Sequence, residues 1–326
     1  MSKNPTISER HSQAPLRFGS KHAHPMALCP EVSPFYQTSL GAAYVSDSLA
    51  FMRGLPSSSI QAVVTSPPYA LHFKKEYGNV DKSKYVEWFL PFAVEIKRIL
   101  KPDGSFVLNI GGSYNPGSPT RSLYHFKLLI ALCEEIRFHL AQECFWYNPA
   151  KLPAPAEWVN VRRMRIKDSV EHVWWLSPTE WPKANNEAVL VPYSEDMERL
   201  IRKGYRAKKR PSGHNITAKF QKDHNGAIPA NLISRGNNES NSEFLRACTA
   251  RGLKLNPARF PPALPEFFLK LLTEQGDIIL DPFGGSNTTG YVAESLNRRW
   301  ISIELNADYL RASALRFGID LLDESK

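Results

Sequence analysis

The stretch Ile278-Ile279-Leu280-Asp281-Pro282-Phe283-Gly284-Gly285-Ser286-Asn287-Thr288-Thr289 decides the fold. Residues 278–280 are wholly apolar and rich in β-branched side chains, the pattern of a strand buried on both faces. Pro282, Gly284 and Gly285 end that strand, and the glycines let the backbone approach a ligand closely. The following spacing predicts a helix over 287–296, whose free N–H groups face the turn and favour a carboxylate or phosphate. The turn is not a P-loop, because no Gly-Lys-Ser/Thr follows, and it is not a G-x-G-x-x-G fingerprint. Trp300 to Ile303 forms the next strand, and Glu304 closes it, where an acidic side chain can bind ribose hydroxyls. A plain βα turn followed by a surface glutamate is the alternative. An amphipathic helix over 307–317 completes this part.

Upstream, the same alternation recurs. Tyr44-Val45 leads through Ser46-Asp47 into a short amphipathic stretch, and Ala62-Val63-Val64 is another buried strand. Val86, Phe89, Leu90, Ala93, Ile96, Ile99 and Leu100 recur at helical spacing. Lys101-Pro102-Asp103-Gly104 stops that helix and turns into a strand over Phe106 to Ile110. Leu123 to Ile136 is helical, and β-rich runs follow at Leu140 to Tyr147 and Glu171 to Leu176. Alternating strands and helices imply an α/β fold around a mostly parallel, doubly wound sheet. Residues 1–38 read as a flexible N-terminal arm. Residues 39–150 and 256–326 read as the main α/β domain, with a sheet strand near 170–177. Residues 151–255, rich in Pro, Asn, Ser, Lys and Arg, read as an inserted recognition region.

A second motif, Thr65-Ser66-Pro67-Pro68-Tyr69, follows the Ala62-Val63-Val64 strand. Both motifs therefore sit at carboxyl ends of strands, the edge where open α/β sheets bind ligands. An exocyclic amino group is a poor nucleophile because its lone pair is delocalised into the ring. The Ser66 hydroxyl and the Pro67 carbonyl can accept its two hydrogens and localise that pair. Pro67 and Pro68 stiffen the turn, and Tyr69 can stack on a base. An ordinary Pro-Pro turn with a packed Tyr would be the favoured reading of this motif alone.

The chain has 326 residues, 42% hydrophobic content and a formal net charge of +9, which favours a polyanionic partner. Cys29, Cys133, Cys144 and Cys248 form no C-x-x-C pair, which argues against a zinc site or disulfide framework and for a reducing cytoplasm. No metal site is expected. The first 40 residues show no apolar signal-peptide segment, and no stretch is long enough to span a bilayer, so a soluble cytoplasmic protein is expected.

Asp281-Pro282-Phe283-Gly284-Gly285-Ser286-Asn287-Thr288-Thr289-Gly290 resembles motif I of the amino-DNA methyltransferases, which bind S-adenosylmethionine. The resemblance implies that Asp281, Pro282, Phe283, Gly284, Gly285, Ser286, Asn287 and Thr288 cradle that cofactor. It implies that Glu304 binds the ribose, that Asp47 lies near the adenine, and that Arg259, Phe260 and Pro261, in Asn256-Pro257-Ala258-Arg259-Phe260-Pro261, contact the methionine end. The family commonly starts this last motif with His, and Asn256 stands here. Ser66-Pro67-Pro68-Tyr69 resembles the family's catalytic motif. Its first residue, Ser rather than Asp or Asn, is associated with cytosine N4 rather than adenine N6. The family fold is a class I Rossmann-like methyltransferase with a seven-stranded sheet. The motif order here, target first and cofactor last, implies a circularly permuted form, in which the ends of the core lie close together.

Phe145-Trp146-Tyr147-Asn148-Pro149 resembles the aromatic segment flanking a flipped base, with core packing as the alternative. Some relatives carry Asp at the position of Asn109 as a proton acceptor; an amide cannot serve as that base, so none is assigned. Arg202, Lys203, Arg206, Lys208, Lys209, Arg210 and His214 lie in a basic stretch that can neutralise phosphates. Arg162, Arg163, Arg165 and Lys167 form a second cluster. The resemblance continues through the insertion to an N4-cytosine member, implying CAGCTG as target. It also implies duplex DNA as partner, no membrane, a monomer on DNA, and a companion endonuclease acting on the same site without direct contact. An N6-adenine DNA methyltransferase, a non-catalytic DNA-binding regulator and an RNA methyltransferase are the other readings.

Overall fold

The computed structural model describes residues 23–70, 80–204, 222–237 and 242–322. In chain order the strands are β1 (Tyr36–Gln37), β2 (Gly41–Val45), β3 (Ile60–Thr65), β4 (Leu100–Ile110), β5 (His139–Tyr147), β6 (Val170–Ser177), β7 (Leu232–Ser234), β8 (Ile278–Asp281) and β9 (Arg299–Glu304). The helices are α1 (Ser48–Gly54), α2 (Tyr85–Ile99), α3 (Tyr124–Glu134), α4 (Glu195–Lys203), α5 (Glu243–Ala250), α6 (Ala263–Leu272), α7 (Thr288–Ser295) and α8 (Ala307–Ala314).

The strands form one sheet in the order β1-β2-β9-β8-β3-β4-β6-β5-β7. It has nine strands rather than the expected seven. The seven-strand frame runs from β2 to β5, and the very short β1 and β7 extend its two edges. β1 and β6 run antiparallel to their neighbours, and the other pairings are parallel. Alternate residues of the central strands feed two cores, one on each face. Val63, Leu108 and Leu280 pack with Met52, Phe89, Ile96 and Leu128 from α1, α2 and α3. Val64, Val107 and Ile279 pack with Phe268, Val292 and Leu310 from α6, α7 and α8. A strand covered on both faces gains from apolar side chains at every position, which is why these runs are continuous rather than alternating.

The permuted connection closes as expected. β2 lies beside β9 and parallel to it, with Val45 opposite Glu304. Tyr36 reaches α8 through a 2.7 Å hydrogen bond between its hydroxyl and Ser313 Oγ, and its ring centroid is 5.8 Å from that of Phe317.

Three expectations change. Residues 23–38 do not behave as an arm: Cys29 and Tyr36 are buried, and Arg299 Nη1 donates to the Ala23 carbonyl at 2.6 Å. Lys101 to Gly104 do not form a separate turn before the strand. They bulge within β4, whose pairing with β3 jumps from Ile60↔Leu100 to Ala62↔Ser105. The 151–255 region is not set apart from the α/β domain. Besides the expected strand β6, β7 joins the sheet, Cys248 of α5 is fully buried, and Asn185 N donates to the Leu271 carbonyl at 2.7 Å. Among the described residues, no helix is long and apolar enough to cross a membrane.

Candidate active site

β3 and β8 pair side by side where the chain's connections diverge to opposite sides of the sheet, the switch point at which such sheets open a crevice. The two motifs leave the sheet there. Thr65, the last residue of β3, donates its hydroxyl to Asp281 Oδ1 at 2.6 Å. Thr289 Oγ1 donates to Asp281 Oδ2 at 2.9 Å, and Phe283 N to Oδ1 at 3.1 Å. Burial pushes the Asp281 carboxyl up to about 6, partly offset by these donors. One buried carboxylate thus ties the strand carrying Ser66 to the glycine turn.

The turn is tightly seated. Gly284 N donates to the Ile303 carbonyl at 2.8 Å, and a Cβ on Gly284 would lie 2.1 Å from Ser302 Oγ. Gly285 has φ of +52°, a left-handed conformation, and its N–H donates to Glu304 Oε2 at 2.8 Å. Burial raises the Glu304 carboxyl above its usual range, opposed by backbone donors from Asn306 and Gly285. Ser48, at the start of α1, donates its hydroxyl to the Pro282 carbonyl, and Asp47 caps α1 by accepting from Ala50 N at 2.8 Å.

A cavity of about 660 Å³ extends from this turn to the second motif. At one end Asp47, Glu304, Leu305, Tyr309 and the turn residues Asp281 to Ser286, with Thr288, form the wall. Arg259 and Phe260 line it too, with Asn256, Pro257 and Ala258. At the other end stand Ser66, Pro67, Pro68 and Tyr69, facing Asn109, Trp146, Asn148, Lys151, Glu171 and Asn237. Pro68 is anchored by Tyr85, whose hydroxyl donates to its carbonyl at 2.8 Å.

Two expected cofactor residues stand outside the lining. Asn287 is fully buried in a left-handed conformation, with φ of 50° and ψ of 44°, and caps α7. Its Oδ1 accepts from Gly290 N at 3.1 Å and its Nδ2 donates to Tyr36 Oη at 2.9 Å. The helix's orphan N–H claims the side chain that sequence reasoning gave to a ligand. Pro261 is likewise buried, and its carbonyl accepts from Leu264 N to start α6.

Glu171 and Lys151 belong to the site but carried no signal along the chain. The Tyr69 hydroxyl donates to Glu171 Oε2 at 2.8 Å, and Glu171 Oε1 pairs with Lys151 Nζ at 3.0 Å. Of the aromatic segment, Trp146 and Asn148 reach the cavity. Phe145 instead packs on His172, at 5.5 Å between centroids.

A sequence profile of the DNA methylase family of N6 and N4 enzymes matches residues 60–315. The chain belongs to that DNA methylase family. The methylase is 51% identical to the type II methyltransferase M.PvuII of Proteus hauseri, over 90% of this chain and 88% of that protein. It is 24% identical to the DNA adenine methyltransferase YhdJ of Escherichia coli K12, over 84% of this chain and 81% of that one. Its structure superposes on the PvuII DNA methyltransferase (cytosine-N4-specific) with a TM-score of 0.72 and 46% identity, covering 88% of this chain and 89% of that one.

Of the residues expected to face DNA, Arg202 and Lys203 lie exposed in the last turn of α4. Arg206, Lys208, Lys209, Arg210 and His214 lie outside the described residues. The second basic cluster of the methylase divides in two. Arg162 and Arg163 are exposed. Arg165 stacks over Tyr114 at 4.9 Å, and Lys167 Nζ donates to the carbonyls of Pro149 and Lys151, so both pin their own segment. No cluster of metal-binding side chains occurs among the described residues.

Proposed function

We propose that this protein is a type II modification methyltransferase that methylates cytosine N4 of a base flipped out of duplex DNA, with CAGCTG as its target. The observation that carries this is one continuous cavity joining Glu304 and the glycine turn to Ser66 and Tyr69. Its volume of about 660 Å³ falls within the range of small-molecule sites, so a cofactor and a base edge can meet inside it. A base stacked in a duplex cannot enter such a cavity, which is why flipping is required.

The residues fit S-adenosylmethionine at the turn end. Glu304 and Asp47 offer acceptors to hydroxyl and amino groups, and Phe283, partly buried against Trp88 and Phe92, offers an aromatic wall. S-adenosylmethionine supplies, when bound, a methyl group on a positively charged sulfur. At the other end Ser66 Oγ and the Pro67 carbonyl accept from the amine and turn its lone pair away from the ring. Tyr69 and Trp146 give the base aromatic surface. No cysteine takes part, and no covalent enzyme intermediate forms. Exposed Arg202, Lys203, Arg162 and Arg163, with the basic residues of 205–221, meet the DNA backbone. The enzyme acts as a monomer, and a companion endonuclease cuts the same sequence without touching it.

Mass spectrometry of nucleosides from DNA exposed to the protein tests the base, and methylation-sensitive sequencing tests the site. N4-methylcytosine within CAGCTG is expected; N6-methyladenine would transfer the assignment to the adenine branch. Removing the Glu304 carboxylate by Glu304→Ala is expected to weaken S-adenosylmethionine binding about 10- to 100-fold, from loss of charge-assisted hydrogen bonds. Calorimetry reads this directly, and an unchanged affinity would take Glu304 out of the cofactor site.

A further inference from the structure

Around Tyr69 the hydrogen bonds have a single chemical direction. Ser66 Oγ lies 3.1 Å from the Tyr69 hydroxyl oxygen, and that oxygen lies 2.8 Å from Glu171 Oε2. Glu171 is held in an ion pair by Lys151 at 3.0 Å, with its side chain 15% exposed. An ionised carboxylate has no proton to give, so the Tyr69 proton must point toward it. Asn109 enforces the same order. Its Nδ2 donates to the His172 carbonyl at 3.2 Å, which turns Oδ1 toward the Tyr69 hydroxyl, also at 3.2 Å. Both groups facing the phenol from β4 and β6 are therefore acceptors. With its proton committed, the Tyr69 oxygen can only accept from Ser66. The Ser66 proton then points at the Tyr69 oxygen, and the Ser66 lone pairs are left for the incoming amine.

Two further observations keep the phenol in this role. Its ring is held against Gly111, where a Cβ would lie 2.6 Å from Tyr69 Cε2. Burial, and then the Glu171 charge, hold the phenol well above its usual range, so it remains a donor at neutral pH. The opposite proton order would have Ser66 present its own hydrogen to the amine, which cancels the polarisation that methyl transfer needs.

We propose that Glu171, held by Lys151, is a positioning residue that sets the proton order of the Ser66–Tyr69 pair, so that Ser66 meets the target amine as an acceptor. This rests on Ser66 being the amine's acceptor in the function proposed above. The side chain of Glu171 bonds to Tyr69 and Lys151 and not to the glycine turn, and its effect should therefore fall on turnover and spare cofactor affinity.

Glu171→Gln keeps the size of the side chain but places an amide, able to donate, beside Tyr69. Single-turnover methyl transfer is expected to fall about tenfold or more. Affinities for S-adenosylmethionine and for duplex DNA, read by calorimetry and fluorescence anisotropy, are expected to stay within about twofold, because the amide replaces no binding contact. Glu171→Asp is expected to recover part of the rate. Because Glu171 acts through Tyr69, the Glu171→Gln, Tyr69→Phe double variant should be no slower than Tyr69→Phe alone. Multiplying losses, or a Glu171→Gln rate equal to wild type, would overturn the proposal. If Glu171→Gln fails to fold, Lys151→Met decides: a slower rate with intact cofactor binding supports the proposal, and an unchanged rate refutes it. Methyl incorporation is counted whatever the base and the base is identified separately. An adenine product would thus refute the cytosine assignment and leave the result for Glu171 standing, whereas a wild type that transfers no methyl overturns both.

Discussion

Ser66→Ala is expected to transfer methyl groups about 100- to 1,000-fold more slowly than the wild type, the usual loss when one preorganised group is removed from a reacting centre. S-adenosylmethionine affinity is expected to be unchanged. The Ser66 side chain belongs to the target end of the cavity, and its hydrogen-bond partner is Tyr69 rather than any residue of the glycine turn. Alanine leaves the Pro67 carbonyl as acceptor for one amine hydrogen and removes the acceptor for the other. The amine lone pair then stays conjugated with the ring, and the loss falls on the transition state. Single-turnover transfer with saturating cofactor, beside calorimetry of cofactor binding, separates the two terms. A variant with wild-type turnover would exclude Ser66 from the mechanism, and one that no longer binds cofactor would mean that the two ends of the cavity are not independent.

Asp281→Ala is expected to destabilise the protein by about 3–5 kcal/mol, the range for breaking a buried polar network. Asp281 is only 2% exposed and accepts from Thr65, Thr289 and the Phe283 N–H. Alanine strands all three donors at a buried position and releases β3 from the turn. Asp281→Asn keeps the volume and one acceptor, so its cost is smaller and it exposes the pH term. Burial lifts this carboxyl from 3.8 to about 6, with Glu304 adding to the rise through its charge. A raised value means that the folded protein holds the proton more tightly than the unfolded chain does. The stability this group contributes is therefore fully present below pH 3.8 and is lost as pH rises through about 6. Over that window the loss is about 3 kcal/mol at 1.36 kcal/mol per pH unit. Urea unfolding of wild type and Asp281→Asn across this window should show the wild-type advantage shrinking with rising pH. A constant difference would mean that Asp281 titrates as an ordinary exposed carboxylate.

Both motifs were legible because their signals are local. A short apolar run, a proline and a pair of glycines specify a strand, its end and a turn without reference to any distant residue. The strands at Ile278, Trp300 and Val63 and the helices that follow them stand where periodicity put them. Asn287 shows where local reading fails: its place in the motif gave it to the cofactor, whereas the N–H of Gly290 and the hydroxyl of Tyr36 occupy it. The Tyr36 partner comes from a segment that polarity alone assigned to a loose arm.

The sequence by itself determined the alternating strands and helices, the two strand-end motifs and their order along the chain. Tertiary structure alone decided what stands opposite them. β6 runs antiparallel to β4, so its beginning rather than its end lies at the site edge, and Glu171 arrives there. Strand direction depends on pairing between distant segments and leaves no trace in a residue's immediate neighbours. That is why Ser66 could be chosen from the chain, while the carboxylate that sets its proton could not.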